Sequence, residues 1–138
     1  MSIEEENKAI VRRYQEIYNS NNLEALTEVV SEELRTPKIM PGIPSGIEGA
    51  KVAHQIMLTG FPDYQTGIDD LIAEEDKVVA RITMSGTHKG SFMGIPPTGK
   101  QVEFTGIYIA QIANGKIVEH WGEEDGVSLL TQLGVLKM

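Results

Sequence analysis

The segment from Asn114 to Asp125 reads NGKIVEHWGEED, and it decides more about the fold than any other part of the chain. Asn114 and Gly115 supply the two positive-φ positions that a tight type I′ hairpin turn requires. Residues on both sides of this turn alternate between apolar and polar, which is the pattern of half-buried strands. The segment therefore predicts a β-hairpin whose second strand carries His120 and Trp121.

The same period of two continues back along the chain from this hairpin. Acidic or glycine-containing turns interrupt it at residues 74–76 and 90–100. The predicted strands are Tyr64–Ala73, Lys77–His88, Gln101–Ala113 and Lys116–Glu124. Strands that follow one another through short turns form an antiparallel meander. The long loop Lys89–Lys100 is of the kind that covers a pocket or contacts a partner, with Phe92, Met93 and Ile95 expected to be exposed.

The first half of the chain shows a helical period instead. Ser2, three residues before Glu5, predicts a capped helix start. Three prolines and two glycines between Thr36 and Gly46 predict a loop. The predicted helices are Glu4–Asn19, Leu23–Glu33, Ile47–Thr59 and a short Val127–Leu133 that ends at Gly134. Helices followed by an antiparallel meander predict a single α+β domain, residues 1–138, with a curved sheet wrapped around the N-terminal helices.

Composition excludes several classes of partner. The chain has 20 acidic and 12 basic residues, a formal net charge of −8, and this charge repels nucleic acid and anionic membranes. No apolar run approaches the roughly 18 residues that a membrane-spanning helix needs. The acidic start MSIEEEN is unlike a signal peptide, and the absence of cysteine fits a cytoplasmic location. The three histidines show no metal-ligand spacing, so no metal is expected.

Three sequence runs carry a family resemblance: GTHKG at residues 86–90, MGIPPTGK at 93–100 and GKIVEHW at 115–121. Together with the closing QLG at 132–134, they resemble the SnoaL-like polyketide cyclase, or ester cyclase, family. The resemblance implies the cone-shaped α+β barrel of the nuclear-transport-factor-like superfamily, enclosing a hydrophobic pocket. It also implies a small hydrophobic ligand and a reaction that uses neither metal nor organic cofactor.

The resemblance also implies where the catalytic groups would lie. Cyclases of this family close a ring by an intramolecular aldol reaction, with an aspartate on the last long strand as general acid/base. This aspartate lies two residues after a histidine that matches His120, and its position is Gly122 here. On the preceding strand, Gly106 and Tyr108 stand where the cyclases carry an amide and a histidine. The scaffold therefore matches, while the catalytic set differs.

Two interpretations of His120 and Tyr108 remain open. Both are expected on the pocket side, where a neutral imidazole accepts a proton and a phenol donates one. Alternatively, the two side chains satisfy each other through a buried hydrogen bond. Val118, Gly122 and Glu124 are expected to share the face of His120. The residues predicted to contact the substrate are Phe104, Gly106, Val118, Gly122 and Met84.

The function itself has two interpretations. The first is a cyclase or isomerase of a small apolar carbonyl compound, with His120 and Tyr108 as the catalytic pair. The second is a dimeric ligand-binding module that has lost the chemistry together with the aspartate at Gly122. Asp125, beside Glu123 and Glu124, is expected to cap the last helix rather than replace that aspartate.

A homodimer is expected from the other side of the sheet. Resembling proteins commonly form dimers through this outer face. In this chain the face is expected to show an apolar stripe that a monomer rarely leaves in water. The residues of the predicted stripe are Ile107, Ile109, Ile117 and Trp121.

Overall fold

The computed structural model describes residues 1–36 and 42–137. It contains three α-helices, α1 (Ile3–Ser20), α2 (Gly46–Gly60) and α3 (Gly126–Gln132), and a 3-10 helix, Leu23–Glu28. The strands are β1 (Val30–Arg35), β2 (Gln65–Glu74), β3 (Lys77–Thr87), β4 (Gln101–Ala113) and β5 (Lys116–Glu124). In the described ranges, no helix is both long enough and apolar enough to cross a membrane.

The strands form one curved, open sheet in the order β1-β5-β4-β3-β2. Neighbouring strands are antiparallel except β1 and β5, which run parallel. Helix α1 packs on one face, which we call the concave face, through its buried side chains Val11, Tyr14 and Ile17. This arrangement confirms the α+β prediction and places the core between α1 and the sheet.

Local hydrogen bonds confirm the predicted turns and caps. Asn114 and Gly115 have φ angles of 53° and 76°, as the hairpin turn requires. The Ser2 hydroxyl accepts a hydrogen bond from the Glu5 N–H at 3.1 Å. The Asp125 carboxylate accepts one from the Ser128 N–H at 3.0 Å, so Asp125 caps α3 as expected.

The predicted second helix, Leu23–Glu33, is wrong. Only Leu23–Glu28 is helical, as a 3-10 helix, and β1 begins at Val30. Val30 and Leu34 are buried, and a spacing of four residues places two side chains on one face of a strand as well as of a helix. The strand forms because β5 offers it an edge: the Ile117 N–H donates to the Val29 carbonyl at 2.8 Å. Of the predicted loop between Thr36 and Gly46, residues 37–41 lie outside the described part of the chain.

The predicted outward position of Ile117 is also wrong, since this side chain is fully buried. A register shift between Gln111 and Ile112 pairs Ile112 with Ile117 and Gln111 with Glu119, which leaves Val118 unpaired. One extra residue reverses the alternation of side chains. Ile117 therefore enters the core, and it does not belong to the outer apolar stripe.

The loop after β3 is held against α2 rather than exposing its apolar residues as expected. The N–H groups of Lys89 and Gly90 both donate to the Gly60 carbonyl at 3.1 Å. Phe92 is buried against Phe61, with ring centroids 5.2 Å apart, and of the three apolar loop residues only Met93 is largely exposed. A Cβ atom at Gly60 would lie 2.7 Å from the Phe92 Cβ, so this close approach requires glycine.

Candidate active site

All four tyrosines of the chain and two of its three histidines form one continuous cluster on the concave face. Neighbouring ring centroids along this cluster are 4.6 to 6.0 Å apart. The cluster joins α1, α2, β4 and β5, because each of these elements contributes at least one ring. Its members, in spatial order, are Tyr64, His54, Tyr18, Tyr14, His120 and Tyr108.

Tyr108 and His120 meet by stacking. Their ring centroids are 4.7 Å apart and their planes differ by 29°. The Tyr108 hydroxyl donates instead to Gln15 Oε1 at 2.8 Å, in a buried hydrogen bond across 93 residues of sequence. The structure therefore brings the predicted pair together, and the Tyr108 hydroxyl bonds to Gln15 rather than to His120, as the second interpretation would require. Burial raises the pKa of Tyr108 far above its ordinary value, so the phenol keeps its proton at neutral pH.

His120 is half-buried on β5, and the protein around it favours the neutral ring. Burial lowers the pKa of His120 to about 4, because a charged imidazolium would lose hydration there. The centroid of the Tyr14 ring lies 6.0 Å from that of the His120 ring, and the Tyr108 ring stacks on His120. A neutral imidazole with access to solvent can accept a proton from a bound molecule.

The depressed pKa of His120 predicts a loss of stability in mild acid. In the unfolded chain a histidine takes up a proton near pH 6.5, whereas folded His120 resists protonation down to about pH 4. The free energy of unfolding should therefore fall as the pH decreases from about 6.5 towards 4, by about 1–2 kcal/mol at pH 5 given that the ring is half-buried. Thermal unfolding at pH 7 and pH 5 measures this change.

The comparison with His120→Gln isolates the contribution of this residue. The variant should lose less stability than the wild type between pH 7 and pH 5. His54 has a pKa lowered by burial as well, so part of the pH dependence should remain in the variant. An identical pH dependence in both proteins would show that His120 is not the residue resisting protonation.

Four of the five predicted contact residues occupy cross-strand rows on the same face, and Val118 is the exception. Met84 and Phe104 lie opposite each other on β3 and β4 and are buried. Gly106 pairs with Glu124, and Tyr108 pairs with Gly122. Val118 is the extra residue at the register shift and is half-buried. A carboxylate at position 122, where the family resemblance places one, would lie directly opposite Tyr108.

The concave face is open at the end where β5 finishes. Gly122 and Glu124 are exposed although their β4 partners, Tyr108 and Gly106, face the core. A Cβ at Gly122 would lie 3.5 Å from His120 Cε1 and 3.9 Å from the Tyr108 Cβ, which are ordinary contacts. Position 122 therefore has room for a side chain beside both predicted catalytic residues.

Two clefts open on the surface of the described part of the chain, and one of them adjoins the aromatic cluster through Gln15. One, of about 570 Å³, lies between α1 and β2, and Gln15 lines it together with Arg12, Asn19 and Leu71. The second, of about 590 Å³, includes Arg35 and Glu119, which form an ion pair at 3.1 Å. Both clefts have charged residues in their walls. The hydrophobic pocket implied by the family resemblance stays a prediction.

The remaining histidines and Arg81 have structural partners. His54 Nε2 lies 3.1 Å from Asn21 Oδ1, which confirms a satisfied core histidine. His88 is fully buried and accepts a hydrogen bond from the Thr98 N–H at 3.2 Å. Arg81 pairs with Asp69 at 3.9 Å. Across residues 1–36 and 42–137, no three histidine or carboxylate side chains group together as metal ligands would.

Sequence reasoning missed Gln15 and the tyrosines of α1. Tyr14 and Tyr18 follow the helical period, which predicts only that they lie on the apolar face of the helix. Gln15 gave no signal, because its partner is 93 residues away. A polar residue beside two tyrosines on the buried face of an amphipathic helix is the one hint that the sequence contains.

Comparison with known proteins agrees with this geometry. A family model described as SnoaL-like polyketide cyclase matches residues 8–133. The aklanonic acid methyl ester cyclase DauD of Streptomyces sp. (strain C5) is 27% identical over 129 residues, which cover 91% of this chain and 80% of DauD. The similarity to DauD therefore extends over most of both chains.

Solved structures extend the likeness to the whole fold. TsrD from Streptomyces laurentii superposes with a TM-score of 0.89 at 32% identity, covering 99% of this chain and 100% of its own. AclR from Streptomyces galilaeus, a proposed hydroxylase, has a TM-score of 0.85 at 31% identity and covers 98% of this chain and 89% of its own. The differing descriptions of these relatives show that the scaffold alone does not specify a reaction. The chain belongs to the SnoaL-like polyketide cyclase family.

Proposed function

We propose that the protein is a cofactor-independent cyclase or isomerase of a small apolar carbonyl compound, with His120 as general base. The observation that carries this proposal is a neutral, half-buried imidazole beside the open end of the concave face. Tyr108 stacks on the imidazole and keeps its proton. The Tyr108 hydroxyl now donates a hydrogen bond to Gln15, and it can donate to a substrate oxygen instead once that bond is broken.

The proposed reaction begins with proton transfer at carbon. His120 takes a proton from the carbon next to a carbonyl group, and the electron pair of that C–H bond moves into an enolate. In a cyclisation, the enolate carbon then forms a bond to a second carbonyl carbon of the same molecule, whose π electrons move onto oxygen. Protonation of this alkoxide completes an aldol product. An isomerisation returns the proton to a different carbon.

The substrate class follows from the face that would receive it. Met84 and Phe104 supply apolar contact, and the cluster of tyrosine rings favours a flat, unsaturated molecule. DauD is described as a cyclase of aklanonic acid methyl ester, so a polyketide ester with neighbouring carbonyl groups is a reasonable first substrate. The predicted contact residues Gly106, Val118 and Gly122 add little bulk at this end.

Proton exchange tests the proposal without requiring the complete cyclisation. In heavy water the wild type should exchange the acidic C–H protons of aklanonic acid methyl ester, or of a simple aromatic β-keto ester, faster than buffer does. NMR measures the exchange, and chromatography detects a cyclised product. No acceleration with any of these carbonyl compounds would reject a catalytic role on this class.

The alternative is a binding module without catalysis, and Gly122 is the observation that favours it. In this case the same compounds should raise the melting temperature by mass action, without exchange or product. Stabilisation together with exchange supports the enzyme. Stabilisation alone supports the binding module.

Neither proposal requires a metal or organic cofactor, because side chains supply every proton transfer described above. A cytoplasmic location is part of the proposal, since the chain has no cysteine that an oxidising compartment could use. The net charge of −8 argues against a nucleic-acid partner.

We also propose a homodimer that forms through the outer face of the sheet. Ile72, Val79, Ile109 and Trp121 lie opposite one another in a single row across four strands. Ile72 is 60% exposed, and Ile107 beside the row is 50% exposed. An exposed apolar row of this length favours contact with a second copy.

Ile107→Glu should convert the dimer into a monomer, because a charge would be buried without a partner at the interface. Light scattering at micromolar concentration measures the mass. Val127→Glu is a matched control, since Val127 is 54% exposed but lies on α3. A wild type with the mass of one chain would contradict the dimer.

A further inference from the structure

Glu124 occupies a position on the concave face that the proposed reaction does not yet use. It lies four residues after His120 and two after Gly122, so all three point to the same face of β5. Residues two apart on a strand are separated by about 7 Å, and glutamate is one methylene longer than aspartate. Glu124 therefore lies one cross-strand row away from position 122, which is where the family resemblance places the acid.

Gly106 creates the space that Glu124 uses. The two residues are paired across β4 and β5, and a Cβ at Gly106 would lie 3.4 Å from Glu124 Cγ. The same Cβ would lie 2.9 Å from Met84 Cε and 3.0 Å from the Glu123 carbonyl oxygen. The Glu124 stem thus crosses β4 where the resembling cyclases carry an amide side chain. Glycine at positions 106 and 122 thus accompanies an acid at 124.

The surroundings of Glu124 are unusual for an exposed carboxylate. Within the described ranges the carboxylate of Glu124 has no hydrogen-bond or ion-pair partner, although the side chain reaches solvent. Burial of part of the side chain raises the pKa of Glu124, and Glu124 in turn adds to the increase that burial causes in the pKa of Tyr64. The other titratable groups of the concave face are Tyr14, Tyr18, His54, Tyr64, Tyr108 and His120.

We propose that Glu124 is a catalytic acid of this protein and supplies, from the neighbouring cross-strand row, the carboxyl group that Gly122 removed. This inference rests on the proposed function, because it requires a carbonyl substrate between His120 and Glu124. The Gly106 gap lets the carboxyl group lean over the sheet towards such a substrate. Glu123 points to the opposite face and cannot take this role.

In the proposed reaction, Glu124 carries out a second proton transfer. After His120 has removed the C–H proton and the new C–C bond has formed, the former carbonyl oxygen carries a negative charge. The Glu124 carboxyl O–H bond breaks, its proton passes to that oxygen, and the electron pair remains as a carboxylate. The imidazolium of His120 and the carboxylate of Glu124 then exchange a proton through solvent, which restores both groups.

Glu124→Gln should lower kcat about 100-fold with a small change in KM, because the amide keeps the size of the side chain but cannot donate an acidic proton in the same way. The pH profile provides a second readout. Turnover by the wild type should decline as the pH rises through the pKa of Glu124, and the variant should lose this decline. Product formation measures both effects, because Glu124 donates its proton after the step that heavy-water exchange detects.

Glu123→Gln is the matched control, since it removes the same charge from the other face, and it should retain the turnover of the wild type. The double variant Gly122→Asp/Glu124→Gln moves the carboxylate back to the family position and should recover turnover relative to Glu124→Gln. Unchanged kcat in Glu124→Gln overturns the inference. An equal loss in the Glu123 control also overturns it, because net charge would then be the cause.

Failure of the proposed function has a different signature. A wild type that exchanges no protons of any carbonyl probe removes the function and the inference together. Normal product formation in Glu124→Gln, combined with loss of product formation in His120→Gln, removes only the inference. A shift of the melting temperature in Glu124→Gln without a change in kcat would identify Glu124 as a structural residue.

Discussion

Replacing His120 by glutamine should lower the rate of proton exchange from a bound carbonyl substrate about 1,000-fold, within the range that a positioned general base contributes. Glutamine cannot accept the proton, whereas its amide keeps a similar volume next to Tyr108. The stacked geometry at 4.7 Å means that the shape of the site depends on this side chain as well. The melting temperature should therefore be measured together with the exchange rate.

His54→Gln is the control for the His120 variant. His54 belongs to the same aromatic cluster, but its Nε2 is occupied by Asn21 at 3.1 Å, and a glutamine amide can donate to the same oxygen. The control should retain exchange activity near that of the wild type. Full activity in His120→Gln would reject His120 as the base, and equal losses in both variants would indicate a general effect on the cluster.

In a Glu124→Gln background, Gly122→Asp should raise turnover of aklanonic acid methyl ester about 100-fold, because it places a carboxyl group opposite Tyr108 and beside His120, where the family resemblance places an acid. The backbone permits the change: Gly122 does not have a positive φ angle, and its new Cβ would make ordinary contacts at 3.5 and 3.9 Å. The loss of strand propensity costs at most about 1 kcal/mol. Product formation measures the gain.

Gly122→Asn separates the carboxylate from the added volume, and it should give no comparable gain. The NMR titration of His120 supplies a readout that does not depend on turnover. A carboxylate beside the ring should raise the His120 pKa from about 4, since an opposite charge favours the imidazolium. An unchanged titration would show that the new side chain points away from His120.

Much of the fold was predictable because its signals are local. The Asn114-Gly115 turn, the alternating strands and the Asp125 cap depend on residues close together in the sequence, and all are present in the structure. The spacing of Val30 and Leu34 led to the wrong prediction of a helix over Leu23–Glu33, because a spacing of four residues suits both a helix and a strand. The pairing of β1 with β5 decided between them, and that contact spans more than 80 residues.

The candidate site was less predictable than the fold. The proximity of Tyr108 and His120 follows from the register of one hairpin, so it could be predicted. The hydrogen bond from Tyr108 to Gln15 depends on how α1 lies across the sheet, which no local pattern encodes. Glu124 resembled a solvated acid beside a cap, because its role depends on the empty space at Gly106.

Position 106 is sensitive to any added side chain because three elements of structure meet there. A Cβ at Gly106 would lie 2.9 Å from Met84 Cε and 3.0 Å from the Glu123 carbonyl oxygen, so alanine would displace the end of the Met84 side chain or the backbone of β5. Glu124 pairs with Gly106 across β4 and β5, so a shift of that backbone would move its carboxylate as well. The glycine therefore ties the position of an exposed acid to the packing of a buried methionine.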